Sequence, residues 1–288
     1  MTTPPPPALP LPPFITQAQR DVATWASCFD AAALPVLRST AVALEELRWN
    51  EDAVDAHMLA DALAPDPLMT LKVLAHVAHV RRGREGGEPE TLTAALVMLG
   101  ITPFFRHFGP QAAAEEVLGM HPGAMDGFTA VLARSRRAAR FALGFAVHRM
   151  DHDARVIHEA ALLHDFAELL MWLRAPGLAQ QVRLRQLQEP GLRSASIQKK
   201  VFKVMLSDVQ HALMLRWRLP RLLVDLADDQ RECVSAQARN VTLAIRLARH
   251  TAVDWNNPAI ADDVRDIAAL LQMSPEHTLL LLKDLDED

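Results

Sequence analysis

Apolar residues recur along this chain at helical spacing, and strict alternation is nowhere sustained. The period predicts helices over about 16–29, 35–48, 53–64, 67–81, 90–99, 103–108, 125–150, 154–173, 177–188, 194–206, 207–216, 220–228, 232–252, 258–271 and 275–284. Asp66-Pro67, Thr102-Pro103, Asn257-Pro258 and Ser274-Pro275 each put a capping side chain directly before proline. That is the order of an N-cap and a first helical residue, where proline's missing N–H costs nothing. Arg82–Pro89 (RGREGGEP) and Gly119–Gly127 read as loops, and residues 1–13 (MTTPPPPALPLPP) as an extended, mobile tail that could dock a proline-reading partner. The fold class expected is all-α.

The stretch 154–173 stands apart. Val156, Ile157, Ala160, Leu163, Phe166, Ala167, Leu170 and Met171 cover much of a helix, and Leu162, Leu169 and Trp172 fill further faces. A helix apolar nearly all round is a central one. Its polar exceptions are His158, Glu159, His164, Asp165 and Glu168. Buried polar groups need partners, so chemistry is sought here first. Toward the C-terminus, Val241, Ala244, Ile245 and Ala248, then Ile260, Val264, Ile267 and Leu271, keep helical spacing, and Leu279–Leu282 need a cover. Helices packed on the main domain, or a homodimer surface, would supply it.

Composition trims the alternatives. With 288 residues, 50% hydrophobic, the chain can fill one large domain or two modest ones. Eleven glycines, 5% aromatic content and no tyrosine disfavour an all-β fold. No GxGxxG or GxxxxGK[ST] occurs, which disfavours the common nucleotide-binding enzymes. A net charge of −5 weighs against a dedicated nucleic-acid binder. Cys28 and Cys233 make no disulfide framework and lack metal-site spacing, which fits a reducing cytoplasm. No apolar run approaches the ~18 residues of a membrane span. With no basic residue before Arg20, the start does not read as a signal peptide.

Charge is uneven along the chain. Residues 174–221 carry ten Lys/Arg against Glu189 and Asp208; residues 222–288 carry six against thirteen acids. Either run reads by default as solvated surface, though the basic one could steer an anion. Arg134, Arg137 and Arg140 fall at i, i+3 and i+6 with no acid between them. One reading is an anion-binding face; the other is a face salt-bridged to the acidic C-terminus. His148 and His152 share a face only if their helix continues past Met150; with His158 they are a conceivable metal site, though three such histidines more often lie on a surface.

Five segments carry a resemblance: Leu34-Pro35; ALAPDPLMTLKVLAHVAHV (62–80); LTAALVMLG (92–100); ALLHDFAELL (161–170); and RWRLP (216–220). In this order and spacing the chain resembles the HDOD (HD-related output domain) family from about Ala33 to Asp229. The family is an all-helical relative of HD-type metal-dependent phosphohydrolases. The resemblance implies a multi-helix bundle of the HD/HDOD type with an extra N-terminal helix and C-terminal helices. The expected organisation is a Pro-rich tail at 1–13, a helical domain at 14–230, and a helical extension at 231–288 packed on it.

The departures bear on function. HD hydrolases hold metal with a His, the adjacent His-Asp pair and a distant Asp, and the metal activates water. His164-Asp165 matches the pair. The first His falls where Arg134 stands, and the last Asp where Ile245 or a neighbour stands. Two remaining ligands are too few for a catalytic divalent site. Arg134 could instead form a buried ion pair with Asp165, replacing the metal's charge. Other family positions have drifted as well: Asn-Ser appears as His79-Val80, the glycine of HDxG as Ala167, a later His and Gly near Leu206 and Gln210, and a His pair near Asp228-Asp229.

The expectation is therefore a vestigial HD site of His164, Asp165 and Arg134, with no catalytic residue, no metal and no cofactor. Any metal site would use His164, Asp165 and His158. The resemblance implies a cytoplasmic module of bacterial signal transduction, acting through protein partners, with no membrane or nucleic acid. The alternatives are a metal-dependent phosphohydrolase of cyclic or other nucleotides with a rearranged site, or a nucleotide-binding sensor using Arg134, Arg137 and the basic 174–221 segment.

Overall fold

The structure is a computed structural model, and it describes residues 13–82, 89–189, 192–227 and 235–287. Its helices are α1 (Val22–Ser27), α2 (Arg38–Trp49), α3 (Ala56–Leu63), α4 (Pro67–Val80), α5 (Leu92–Leu99), α6 (Ile101–His107), α7 (Ala114–Leu118), α8 (Ala124–His148), α9 (Ala154–Leu163), α10 (Phe166–Arg174), α11 (Pro176–Gln188), α12 (Ser194–Val201), α13 (Leu206–Arg216), α14 (Arg221–Leu226), α15 (Ala236–His250), α16 (Ile260–Leu271) and α17 (Pro275–Glu287). The fold is all-α. Extended pairing among the described residues is limited to one bridge, Val36 with Ala113. No helix there is long and apolar enough to cross a membrane.

The helices form two compact units. Unit 1 takes Met1–Phe128 with Phe166–Pro220; unit 2 takes Thr129–Asp165 with Arg221–Asp288. These units divide the chain differently from the organisation expected around residue 230. Residues 231–288 belong with 129–165 and 221–227, because α15 packs on α9 and α16, and α14 packs on α9. The expected tail (bar Pro13), most of the 82–89 loop, Asp228-Asp229 and Cys233 lie outside the described residues.

In unit 1 the Asp66-Pro67 pair works as expected. Asp66 Oδ1 accepts from Leu68 N at 2.8 Å and Met69 N at 3.1 Å, and Pro67 is the first residue of α4. Its other oxygen accepts from Leu37 N at 2.7 Å, tying the Leu34-Pro35 segment to α4. α5 ends at Gly100, whose φ of +80° also starts α6 at Ile101. Thr102-Pro103 therefore lies inside the first turn instead of capping it. Proline is tolerated there because first-turn N–H groups have no helical partner. In RWRLP, Arg218 (φ +55°) follows α13, with Leu219 N bonding Met214 O and Arg218 N bonding Leu215 O. This is a Schellman end built without glycine. The Trp217 ring stacks on Phe166 at 5.7 Å. Ala167 N donates to Gln210 Oε1 at 3.4 Å, linking two segments where the resemblance implies glycines.

Several boundaries depart from the hydrophobic pattern. The helix expected over 16–29 is confined to Val22–Ser27, because Asp21 Oδ1 accepts from Thr24 N and starts it there. α7 and the start of α8 occupy part of the loop expected at 119–127 and just before it. Lys203, at φ +65°, lies beyond the end of α12, which stops at Val201. Asn257-Pro258 forms a turn, with Asn257 Oδ1 accepting from Ala259 N, and α16 starts at Ile260. Ser274-Pro275 does open α17. The helix expected over 154–173 is two helices, broken at His164-Asp165.

Candidate functional site

At that break two of the polar residues of the central stretch, His164 and Asp165, meet arginines of unit 2. α9 ends at Leu163, and His164 follows as its cap. α8 supplies Arg134. Its Nε and Nη2 both lie 2.8 Å from Asp165 Oδ2. α15 supplies Arg249, whose Nη2 lies 2.8 Å from Oδ1. His164 Nδ1 stands 3.2 Å from the same Oδ1 and donates to it in the Nδ1–H tautomer. The Asp165 side chain is 11% exposed and that of His164 is 6% exposed. Burial alone would push the Asp165 carboxyl up; Arg249, Arg134 and His164 together hold it well below the usual carboxylate range.

Arg249 was not singled out in the sequence. The expected position of the last metal ligand was Ile245 or a neighbour, about one turn earlier on α15, and Ile245 is buried. Residues four apart share a helix face, so Arg249 reaches the place that a residue at 245 would approach.

A divalent cation does not fit this residue set. Both oxygens of Asp165 already accept from guanidinium groups, which stay charged at any ordinary pH. A dication brought to either oxygen would face two fixed positive charges. Among the described residues, no group of three His, Cys, Asp or Glu is arranged to hold a metal ion. His158 lies half-buried on α9, its imidazole pushed down by burial and then by Arg155.

The other residues raised from the sequence fall elsewhere in unit 2. Arg137 grips Asp286 with Nε and Nη2 at 2.7 Å each, and donates to the carbonyl and hydroxyl of Thr251. Trp255 Nε1 donates to the same Asp286 carboxylate at 3.0 Å. Arg140 Nη2 lies 3.9 Å from Asp286. The arginine row is thus matched with internal carboxylates, Asp165 for Arg134 and Asp286 for the other two. Asp263, 1% exposed, is held by Arg246 and His250 at 2.6 Å each. His148 and His152 are exposed and do not share a helix: α8 ends at His148, and Met150 takes φ +57° in a Schellman turn closed by Asp151 N on Ala146 O.

Fold and site together define an all-helical protein with an HD-type His-Asp turn whose carboxylate is neutralised by arginine. A family model described as HDOD domain matches residues 34–233, more than half of the chain, and the chain belongs to the HDOD domain family. Among solved structures, it is similar to the MmoQ response regulator of Methylococcus capsulatus str. Bath, with 19% identity, a TM-score of 0.62, and coverage of 83% of this chain and 97% of that one. It is also similar to a virulence factor of Campylobacter jejuni subsp. jejuni, with 16% identity, a TM-score of 0.64, and coverage of 92% and 96%. At these identities the likeness is one of fold. No match was found among curated proteins.

Proposed function

We propose that the chain is a signalling module that works through contacts with protein partners and hydrolyses nothing at its HD position. The observation that carries this reading is the clamp on Asp165: Arg134 on one oxygen and Arg249 on the other, each at 2.8 Å. A hydrolase needs that carboxylate for its cation. Here its charge is spent on the fold. Family membership and the name of the Methylococcus relative, a response regulator, support a role in signal transduction.

The test is turnover of cyclic dinucleotides and (p)ppGpp by the full chain with Mg²⁺ or Mn²⁺, beside an Asp165→Asn variant. Elemental analysis of protein purified without chelator accompanies it. The expected result is no turnover above the variant and no stoichiometric metal. Turnover that Asp165→Asn abolishes, with bound metal, would put a phosphohydrolase in its place.

A further inference from the structure

Unit 1 holds a second concentration of charge that the Asp165 site does not use. α4 is almost wholly apolar, yet Lys72, His76 and His79 recur on it at i, i+4 and i+7, which is one face. Lys72 is 6% exposed. Its ammonium donates to Leu34 O and Gln111 Oε1, each at 2.6 Å. Both acceptors are neutral, and an ammonium has three donors, so one remains. One turn on, the His76 ring stacks on His107 of α6, with centroids 3.5 Å apart and planes 19° apart.

These groups line a cavity of about 620 Å³. Arg82 lines it as well, and so do Arg216 and Arg218 from the end of α13. The three arginines are exposed and form no ion pair among the described residues. Asp30 is the one acid in the described lining. Three arginines and the Lys72 ammonium, which burial pushes down to about 8, therefore face one carboxylate in the described lining, and the surplus suits a dianion better than a single carboxylate. Phe108, Trp217 and Ala31–Ala33 supply apolar wall. The volume lies within the usual range for small-molecule sites.

We propose that this cavity binds a phosphorylated small molecule, with its phosphate between Lys72, the His76–His107 pair and the arginines, and its organic body against Phe108 and Trp217. Guanidinium groups match phosphate oxygens in pairs, and a partly enclosed ammonium acts as a point charge on the same group. The stacked imidazoles add a proton-linked element. Burial, then His107 and His79, pushes the His76 imidazole down to about 4, and burial and Lys72 lower His107. Both are neutral in the free protein near pH 7. The charged groups around them are Lys72 and His79 on α4, Arg82 after it, Asp30, and Arg216 and Arg218. All but Asp30 oppose protonation. A bound dianion reverses that balance, so binding takes up protons. The proposal involves none of the Asp165 cluster and stands or falls separately from the reading above.

Calorimetric titration of the full chain at pH 7.5 and low ionic strength tests it. The probes are AMP, adenosine, glucose 6-phosphate, glucose and inorganic phosphate. Buffers of different protonation enthalpy report proton uptake, since a phosphate monoester is already dianionic at that pH. At least one organic phosphate should bind about tenfold or more tightly than its dephosphorylated counterpart and more tightly than inorganic phosphate, with net proton uptake. Arg216→Gln with Arg218→Gln, both on exposed side chains, should weaken it about tenfold or more, while Arg38→Gln, outside the cavity, leaves it unchanged. His107→Gln should reduce the proton uptake. The proposal is overturned if neither organic phosphate outbinds its counterpart, if inorganic phosphate binds as tightly as both, or if the double variant binds like the wild type with its melting temperature intact.

Discussion

Arg249 Nη2 lies 2.8 Å from Oδ1 of Asp165, on the oxygen that Arg134 leaves open. The two guanidiniums come from α8 and α15, so the carboxylate fastens α9's end to both helices. Asp165→Ala should therefore destabilise the chain by ~3–5 kcal/mol, since it takes the shared carboxylate away from two cations, one of them largely buried. Urea melts of wild type and variant read this directly; equal midpoints would refute it.

The same carboxylate sets an acid limit. Its folded pKa is depressed, so its contribution is complete above the ordinary 3.8 and fades as pH falls below that value toward the folded one. Stability measured between pH 5 and 2 should decline more steeply in wild type than in Asp165→Ala. Parallel curves would show that Asp165 is not the group concerned.

Asp66 serves two segments with one side chain. Asp66→Ala removes the cap of α4, worth about 1 kcal/mol, and leaves the buried Leu37 N–H unpaired, worth about 1–3 kcal/mol. A loss of about 2–4 kcal/mol is expected, with much of the cap returning in Asp66→Asn. Chemical denaturation of the pair checks it, and an alanine variant as stable as wild type would contradict it.

Lys72 gives an alkaline signature. Burial pushes its ammonium from the ordinary 10.5 down to about 8, with Asp66 and Asp30 opposing. Between those values the unfolded chain binds the proton and the folded one does not, so stability rises with pH. At 1.36 kcal/mol per unit the rise is on the order of 3 kcal/mol. Lys72→Met should lack it, and the chain has no tyrosine to blur the window. A rise of equal size in the variant would assign it elsewhere.

Gly127 inverts a familiar rule. Within α8, Gly→Ala normally gains about 1 kcal/mol of helix propensity. Here a Cβ would sit 2.2 Å from Trp172 Cζ2, in the face of a buried ring. Gly127→Ala should lower the melting temperature, and a higher one would mean that the ring moves aside.

What the sequence could reveal follows from the range of each interaction. Asp66-Pro67 and Ser274-Pro275 were readable because a cap and its proline are neighbours. The His164-Asp165 pair was readable as a motif, and its break was not. The apolar pattern runs unchanged from Leu163 to Phe166, and only arginines on two other helices show why the chain turns there. Arg249 lies 84 residues from its carboxylate, beyond any local pattern. Lys72, His76 and His79 share one face of α4 but were not singled out, because their partner His107 and the arginines of α13 are brought in only by tertiary packing. Met150 and Arg218 end helices in the left-handed region without the glycine that would have announced it.

A hydrolase that borrows its countercharge from a dissolved cation has a stability tied to the supply of that cation, through mass action. The countercharge at Asp165 is covalently part of the chain. It cannot be chelated, exchanged or starved away, and it arrives with every copy the ribosome makes. The folded state of unit 2 should accordingly be indifferent to EDTA and to the metal status of the cell, leaving partners and ligands free to be the variables that matter.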